Sequence, residues 1–323
     1  MPVTLTDVAA AAGVSLATAS RAFKEPERLA ATTLQRVFAA AAELKYDILP
    51  SSRRLTLAVV VPDAANPVFA TLITAIQEQV WTGRHRMILA NTAEDRAREA
   101  ETLRTLKDDV DGIFLLSPRL SQEETVAAIG ATPVVAVNAA YDFCSTVQID
   151  GDVGIQQSVE HLFALGHRHI AYVPGPAEAW ANTRRQASVE AACESLGIKL
   201  STGRNQGASI EGGLAAAASV VASGATAAVC YNDLVALGVR YGIQGLGRQC
   251  PQDLSVVGID DLSIAAVAGP GLSTIRVHIT EAGSQAFDLL IDHLTGRRLE
   301  PATIHNPSQF IVRASTGPAP QRE

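Results

Sequence analysis

Apolar residues follow two rhythms along this chain. Beyond residue 56, short unbroken runs (AVVV at 58–61, MILA at 87–90, IFLL at 113–116, VVAV at 134–137) alternate with stretches of helical spacing such as Pro67–Trp81 and Glu99–Leu106. A second series repeats this: IAYV at 170–173, AAVCY at 227–231 and SVVGI at 255–259 are separated by helical patterns at Gly154–Leu165, Arg185–Leu196, Leu214–Ala222 and Leu234–Gln244. Unbroken apolar strands alternating with helices predict parallel sheets covered on both faces. Two series, each the size of one doubly wound unit, predict an α/β body of two lobes. A helix at Thr280–Leu294 and a late strand at Phe310–Arg313 return after the second series.

The first 50 residues have only the helical rhythm. Thr4 and Thr6 can cap a helix over Asp7–Ala12, Gly13 stops it, Val14 fills the corner, and Ser15 can cap a second helix over Leu16–Phe23. A third helix is predicted at Thr32–Lys45, its stripe of Leu34, Val37, Phe38, Ala41 and Leu44 packing on Val8, Val14 and Phe23. Two helices joined through a short Gly turn fit a helix-turn-helix, whose second helix enters the DNA major groove. They fit an ordinary αα-hairpin as well. Pro50 and the pair Ser51-Ser52 then break the pattern. The expected domains are an all-α headpiece at 1–48, a short linker at 49–56 and a body at 57–323. Lobe one should take about 57–149 and 279–305, and lobe two about 150–278 and 306–323.

Charge sharpens this division. The net charge is −7, yet residues 1–56 carry seven Lys/Arg against five Asp/Glu, a balance of +2 that leaves −9 for the rest. A mildly cationic head on an acidic body suits nucleic-acid contact confined to one end. With 47% hydrophobic residues but no apolar run long enough to span a bilayer, and no export-signal pattern at the N-terminus, the expectation is a cytoplasmic protein without a membrane partner. The four cysteines, Cys144, Cys193, Cys230 and Cys250, have no metal-site spacing and read as free thiols.

Ligands of open parallel sheets bind beyond the carboxyl ends of the strands. Asn66 and Phe69 follow the first strand, Asn138 and Tyr141 the fourth, and Trp180, Asn182, Arg184 and Arg185 the strand at 170–173. Asn232 and Asp233 follow 227–231, and Asp260 and Asp261 close the strand at 255–259. Amides, charges and aromatic faces in such places suit a small polar ligand, although Asp233 and Asp261 also read as helix caps.

The run T-L-T-D-V-A-x-x-A-G-V-S-x-x-T-x-S-R, with E-x-L-K-Y at Glu43–Tyr46, resembles the headpiece of the LacI/GalR family of bacterial transcription regulators. The body carries similar family motifs: VPDxxNPxF at 61–69, DGDxG at 150–154, GHRHIA at 166–171, NDxxAxG at 232–238, SVVGIDD at 255–261, PGLSTIR at 270–276 and VRAST at 312–316. The resemblance implies a periplasmic-binding-protein-like core and a dimer or tetramer that binds pseudo-palindromic operator DNA. It further implies a small-molecule effector, with a sugar or sugar derivative fitting best and a carboxylate or purine left open.

By the same resemblance, Leu16, Ala17 and Arg21 are base-reading positions, and Thr6, Ser15, Thr18 and Ser20 share the DNA surface. The ligand set is Asn66, Phe69, Asn138, Tyr141, Trp180, Asn182, Arg185, Asn232, Asp233 and Asp260. Gly197-Ile198 place the family's ligand arginine on Arg185 rather than Arg184. Counting from Tyr46, Arg53 and Leu55 fall where the family keeps an arginine and a minor-groove leucine. The segment before the first strand is about six residues shorter than is usual in the family, so the other reading is that Leu55 simply begins that strand. Ile48 and Leu49 replace a usual Pro-Asn, and Lys24, Ala30 and Leu34 replace a common Asn, Ser and Arg.

Other functions lack their signatures. PDAANPVF follows the first strand, where a dinucleotide-binding fold needs G-x-G-x-x-G, and no G-x-S-x-G elbow occurs. A transport-type solute receptor would share the two-lobed body but needs an export signal in place of Thr4–Tyr46. His161, His167 and His169 read as a helix end rather than a metal site. No catalytic residue, metal ligand or cofactor is expected.

Overall fold

The computed structural model describes residues 3–24, 28–44, 46 and 54–321. The headpiece consists of α1 (Leu5–Ala12), α2 (Leu16–Lys24) and α3 (Ala31–Glu43). Thr4 and Asp7 cap α1 reciprocally, and Gly13 ends it with φ 64°, a left-handed conformation that costs glycine nothing. Ser15 Oγ accepts from Thr18 N–H at 3.1 Å to start α2. The interior is Val8, Ala9, Ala12, Ala19, Ala22, Val37, Ala40 and Ala41, with Phe23 set edge-on to Phe38 at 5.3 Å. Small side chains let the helices approach closely: of the expected residues Val8, Val37 and Ala41 are buried, Val14, Phe23, Leu34 and Leu44 pack against them, and further alanines fill the rest of the core.

Lobe one contains β1 (Thr56–Val61), α4 (Pro67–Thr82), β2 (Arg86–Asn91), α5 (Arg96–Leu106), β3 (Gly112–Leu116), α6 (Gln122–Ile129), β4 (Val134–Val137) and β5 (Ser145–Ile149). Lobe two follows with α7 (Asp152–Ala164), β6 (His169–Val173), α8 (Trp180–Ser195), β7 (Lys199–Thr202), α9 (Ile210–Ser223), β8 (Ala227–Cys230) and α10 (Asp233–Gly245). It continues through β9 (Ser255–Asp260), α11 (Ser263–Val267) and β10 (Ser273–Val277). The chain then returns through α12 (Ile279–Leu294) and β11 (Thr303–Asn306) on lobe one, and β12 (Ser308–Ile311) on lobe two. The sheet orders are β11-β5-β4-β3-β1-β2 and β12-β10-β9-β8-β6-β7, parallel except where β12 runs against β10.

Alternation along β1 explains its unbroken apolar run. Leu57, Val59 and Val61 pack on the side of α4 and α12, while Ala58 and Val60 join Leu103 of α5 and Ala128 of α6 on the other face. The chain passes between lobes after β5, after β10 and between β11 and β12. At the last crossing Ser308 Oγ accepts from Gly154 N–H at 3.0 Å.

Several expectations shift. The late strand lies at Ser308–Ile311 rather than 310–313, and α8 begins at Trp180 rather than Arg185. Leu55 is 1% exposed in the core of lobe one beside Leu57 and Ile76, and so is not free to enter a minor groove. The reading in which Leu55 leads into the first strand is the one that fits. Arg53 lies outside the described residues.

Candidate functional site

The first surface of interest is on the headpiece. Ala19 and Ala22 of α2 face the interior, which turns Leu16, Ala17 and Arg21 outward; Leu16 is 49% exposed. Thr6 and Ser15 are exposed beside them, and Thr18 and Ser20 are half-buried. An exposed leucine at a helix start gains nothing from the fold, but it presents apolar surface of the kind that contacts a thymine methyl, and Arg21 adds a donor for guanine or phosphate.

The second is where the strand ends of the two lobes face each other. A narrow crevice of about 10 Å3 runs between Gln148, Ile149 and Asp150 of lobe one and Trp180, Arg184 and Arg185 on α8. Arg185 is buried. One of its Nη atoms donates to the Tyr231 carbonyl at 2.6 Å, the other to Asp260 Oδ1 at 3.2 Å, and its guanidinium lies 4.8 Å from the Tyr231 ring centre. Burial pushes Asp260 up to about 6, against the pull of Arg185. Arg184 pairs with Asp152 at 2.5 Å and lies 5.9 Å from the Trp180 ring.

Most of the other expected ligand residues have their polar atoms engaged within one lobe. Asn66 caps α4, accepting from Val68 N–H at 3.0 Å, and Phe69 packs in the core. Asn138, at φ 55°, accepts from Ile149 N–H at 2.9 Å. The Tyr141 hydroxyl donates to the Leu120 carbonyl at 2.8 Å inside lobe one. Asn182 accepts from Gly175 N–H at 2.8 Å, and Asn232 caps α10 through Val235 N–H at 2.9 Å. Asp233 accepts from the Thr274 hydroxyl at 2.5 Å and Leu262 N–H at 2.8 Å. A Cβ on Gly258 would come within 2.2 Å of its Oδ1, so glycine is what admits the carboxylate there. Burial, reinforced by Asp260, raises Asp233 to about 8. Trp180 and Arg185 are the expected residues that line the crevice, and Asp260 meets it through Arg185.

Sequence reasoning missed Arg119. It is 3% exposed just beyond β3, with Nε 2.5 Å and Nη2 3.0 Å from the Glu94 carboxylate and Nη1 on the Ser117 carbonyl at 2.6 Å. Glu99 accepts from the Arg119 backbone N–H at 3.0 Å. Arg119 follows the carboxyl end of β3, and β5, parallel to β3 in the same sheet, leads directly into Asp150 of the crevice, so the Arg119–Glu94 pair belongs to the end of lobe one that borders lobe two. The available signal was Ser117-Pro118-Arg119, a polar stop directly after IFLL. Among the described residues no cluster suits a metal ion, and no helix is long and apolar enough to cross a membrane.

Residues 4–47 match the model of bacterial regulatory proteins of the lacI family, and residues 159–316 match a periplasmic binding protein-like domain. The HTH-type transcriptional regulator MalR of Streptomyces coelicolor is 30% identical over 342 residues, covering 99% of this chain and 98% of the relative. A crystal structure of the lac repressor dimer bound to operator and the anti-inducer ONPF aligns at TM-score 0.74 and 25% identity, over 98% of this chain and 100% of that one. The complex of the transcriptional regulator CelR with cellobiose aligns at TM-score 0.73 and 26% identity, over 97% and 99% of the two chains.

Proposed function

The chain belongs to the LacI family of bacterial regulatory proteins, and from that premise we propose that it is a homodimeric, cytoplasmic repressor whose operator affinity is set by a neutral sugar or sugar derivative between the lobes. The observation that carries this reading is the charge balance of the interlobe region. Arg185 is answered by Asp260, Arg184 by Asp152 and Arg119 by Glu94, while Asp150 adds a further carboxylate to the crevice. A carboxylate or phosphate ligand would have to displace an existing ion pair and approach these acids. A polyol can accept from guanidinium edges, donate to carboxylates and lay a C–H face on Trp180, all without net charge. The cellobiose in the CelR complex is a ligand of this neutral kind.

A crevice of about 10 Å3 has room for roughly one water. A sugar therefore enters as the lobes part at their three crossings and binds one lobe arrangement more tightly than the other, the differential affinity that regulation requires. Two headpieces related by a two-fold axis read a pseudo-palindrome with half-sites about one helical turn apart. Thermal-shift screening of neutral sugars, sugar phosphates and carboxylates tests the ligand class, since a ligand at one hundred times its Kd adds about 2.7 kcal/mol of stability. Stabilisation by a neutral sugar, lost in Arg185→Met, supports the reading. Stabilisation confined to the anionic compounds would overturn it.

A further inference from the structure

We propose that His85 is a positioning residue for DNA binding: its imidazole fixes the point at which the chain leaves the body for the headpiece, through a hydrogen bond that only the neutral ring can accept. This rests on the chain being an operator-binding regulator. Leu55, just before β1, donates its N–H to His85 Nδ1 at 3.2 Å and accepts from Arg86 N–H at 2.7 Å. The next N–H, of Thr56, donates to Asp111 Oδ2 at 2.8 Å. Two side chains from two different turns thus hold consecutive amides at the point of exit.

The ring is itself held. His85 lies in the turn between α4 and β2, where its N–H donates to the Val80 carbonyl at 2.9 Å and the preceding Arg84 has φ 55°. Its ring is 6.5 Å from that of Phe287 on α12, which stacks on Phe114 of β3 at 6.3 Å. Imidazole orientation is therefore tied to the core of lobe one.

Position matters because the tether is short. Residues 47–53 join Tyr46 to Arg54, a reach of at most about 29 Å. Fraying Leu55 and Thr56 from the sheet would add about 7 Å, roughly a quarter of that reach, and would loosen the placement of each headpiece over its half-site. Protonating Nδ1 sets an N–H against the Leu55 N–H and removes the anchor. Among the described residues the charged group that acts on the ring is Asp111, just before β3; Arg84 and Arg86 flank His85 in sequence, and the contact from α12 is the apolar Phe287. Burial holds the imidazole below its ordinary value of 6.5, against the pull of Asp111. The anchor is present above pH 6.5 and is lost as the pH falls through the lowered value.

The test titrates the full-length protein with the duplex that wild type enriches from a randomised DNA pool, from about pH 7.5 to 5.5, alongside His85→Ala and His85→Asn. Asn places an acceptor, Oδ1, where Nδ1 stood, and does not titrate. At about pH 7.5, H85A should bind roughly 3- to 10-fold more weakly, the effect of one net hydrogen bond, and H85N should stay within about twofold of wild type. On acidification wild-type affinity should fall towards that of H85A, while H85N falls less. If H85A melts early, the comparison of pH profiles between wild type and H85N decides. Superimposable profiles for those two, or an H85A protein that binds like wild type, would overturn the proposal. A wild-type chain that enriches no duplex would instead remove the DNA-binding reading beneath it.

Discussion

Replacing Asp233 with Asn should flatten the dependence of stability on pH. Asp233 opens α10 fully buried, with its two oxygens facing the Thr274 hydroxyl and Leu262 N–H. Burial first, and Asp260 next, raise its pKa from 3.8 to about 8. The folded protein therefore keeps a proton that the unfolded chain gives up, so stability is greatest in acid and declines as the pH rises from 3.8 through about 8. Within that window each pH unit costs about 1.4 kcal/mol, so this group should remove up to about 2.7 kcal/mol between about pH 5 and 7. Asp260, raised to about 6, contributes a smaller decline of the same sign in both proteins.

Asn reproduces the protonated pattern: Oδ1 accepts from Leu262 N–H and Nδ2 donates to the Thr274 oxygen, with no proton to lose. Urea midpoints measured by circular dichroism at about pH 5, 6 and 7 provide the assay. D233N should already exceed wild type at about pH 5, by roughly 1.4 kcal/mol for each unit above 3.8, and the gap should widen by up to about 2.7 kcal/mol by about pH 7. Parallel lines for the two proteins, or a D233N protein several kcal/mol weaker at about pH 5, would mean that Asp233 is ionised in the fold and would refute the reasoning.

Two further outcomes follow from where side chains sit. Leu55→Ala should cost about 2–5 kcal/mol of stability as a buried truncation, read from urea melts, with the bend of bound DNA unchanged by fluorescence transfer. A stable variant that bends DNA less would return Leu55 to the groove. Substituting Leu16 or Ala17 should change the preferred operator bases by about 1–3 kcal/mol per base pair in a randomised-duplex selection, and unchanged preferences would remove both residues from base readout.

The parallel sheets were legible because strands buried on both faces must be apolar throughout, as AVVV and IFLL are. β5, β7 and β10 were harder to see: STVQI, KLST and STIRV carry hydroxyls and charges. The headpiece turn was legible from Gly13 and Ser15, whose backbone and capping chemistry is local. Its core was less so, since alanine is equally at home on an exposed helix face. The interlobe region was the least legible. Residues following strands are easily found, but which of them spend their polar atoms on caps and turns depends on partners far away in sequence. Asp233 meets Thr274, 41 residues on, and the Arg185 partner Asp260 is 75 residues away. Leu55 was ambiguous because the same residue serves a linker or a strand start, and only its burial decides.

The central claim is that a sugar between the lobes and DNA on the headpieces bias one equilibrium, and thermodynamic linkage tests it most directly. The neutral sugar found by thermal shift is titrated into the protein by calorimetry, alone and saturated with the enriched duplex, and duplex affinity is measured with and without that sugar. The account predicts that the sugar changes duplex affinity by some factor, about 5- to 150-fold for a typical coupling, and that the duplex changes sugar affinity by the same factor. A sugar Kd identical in the free and DNA-bound protein would contradict it.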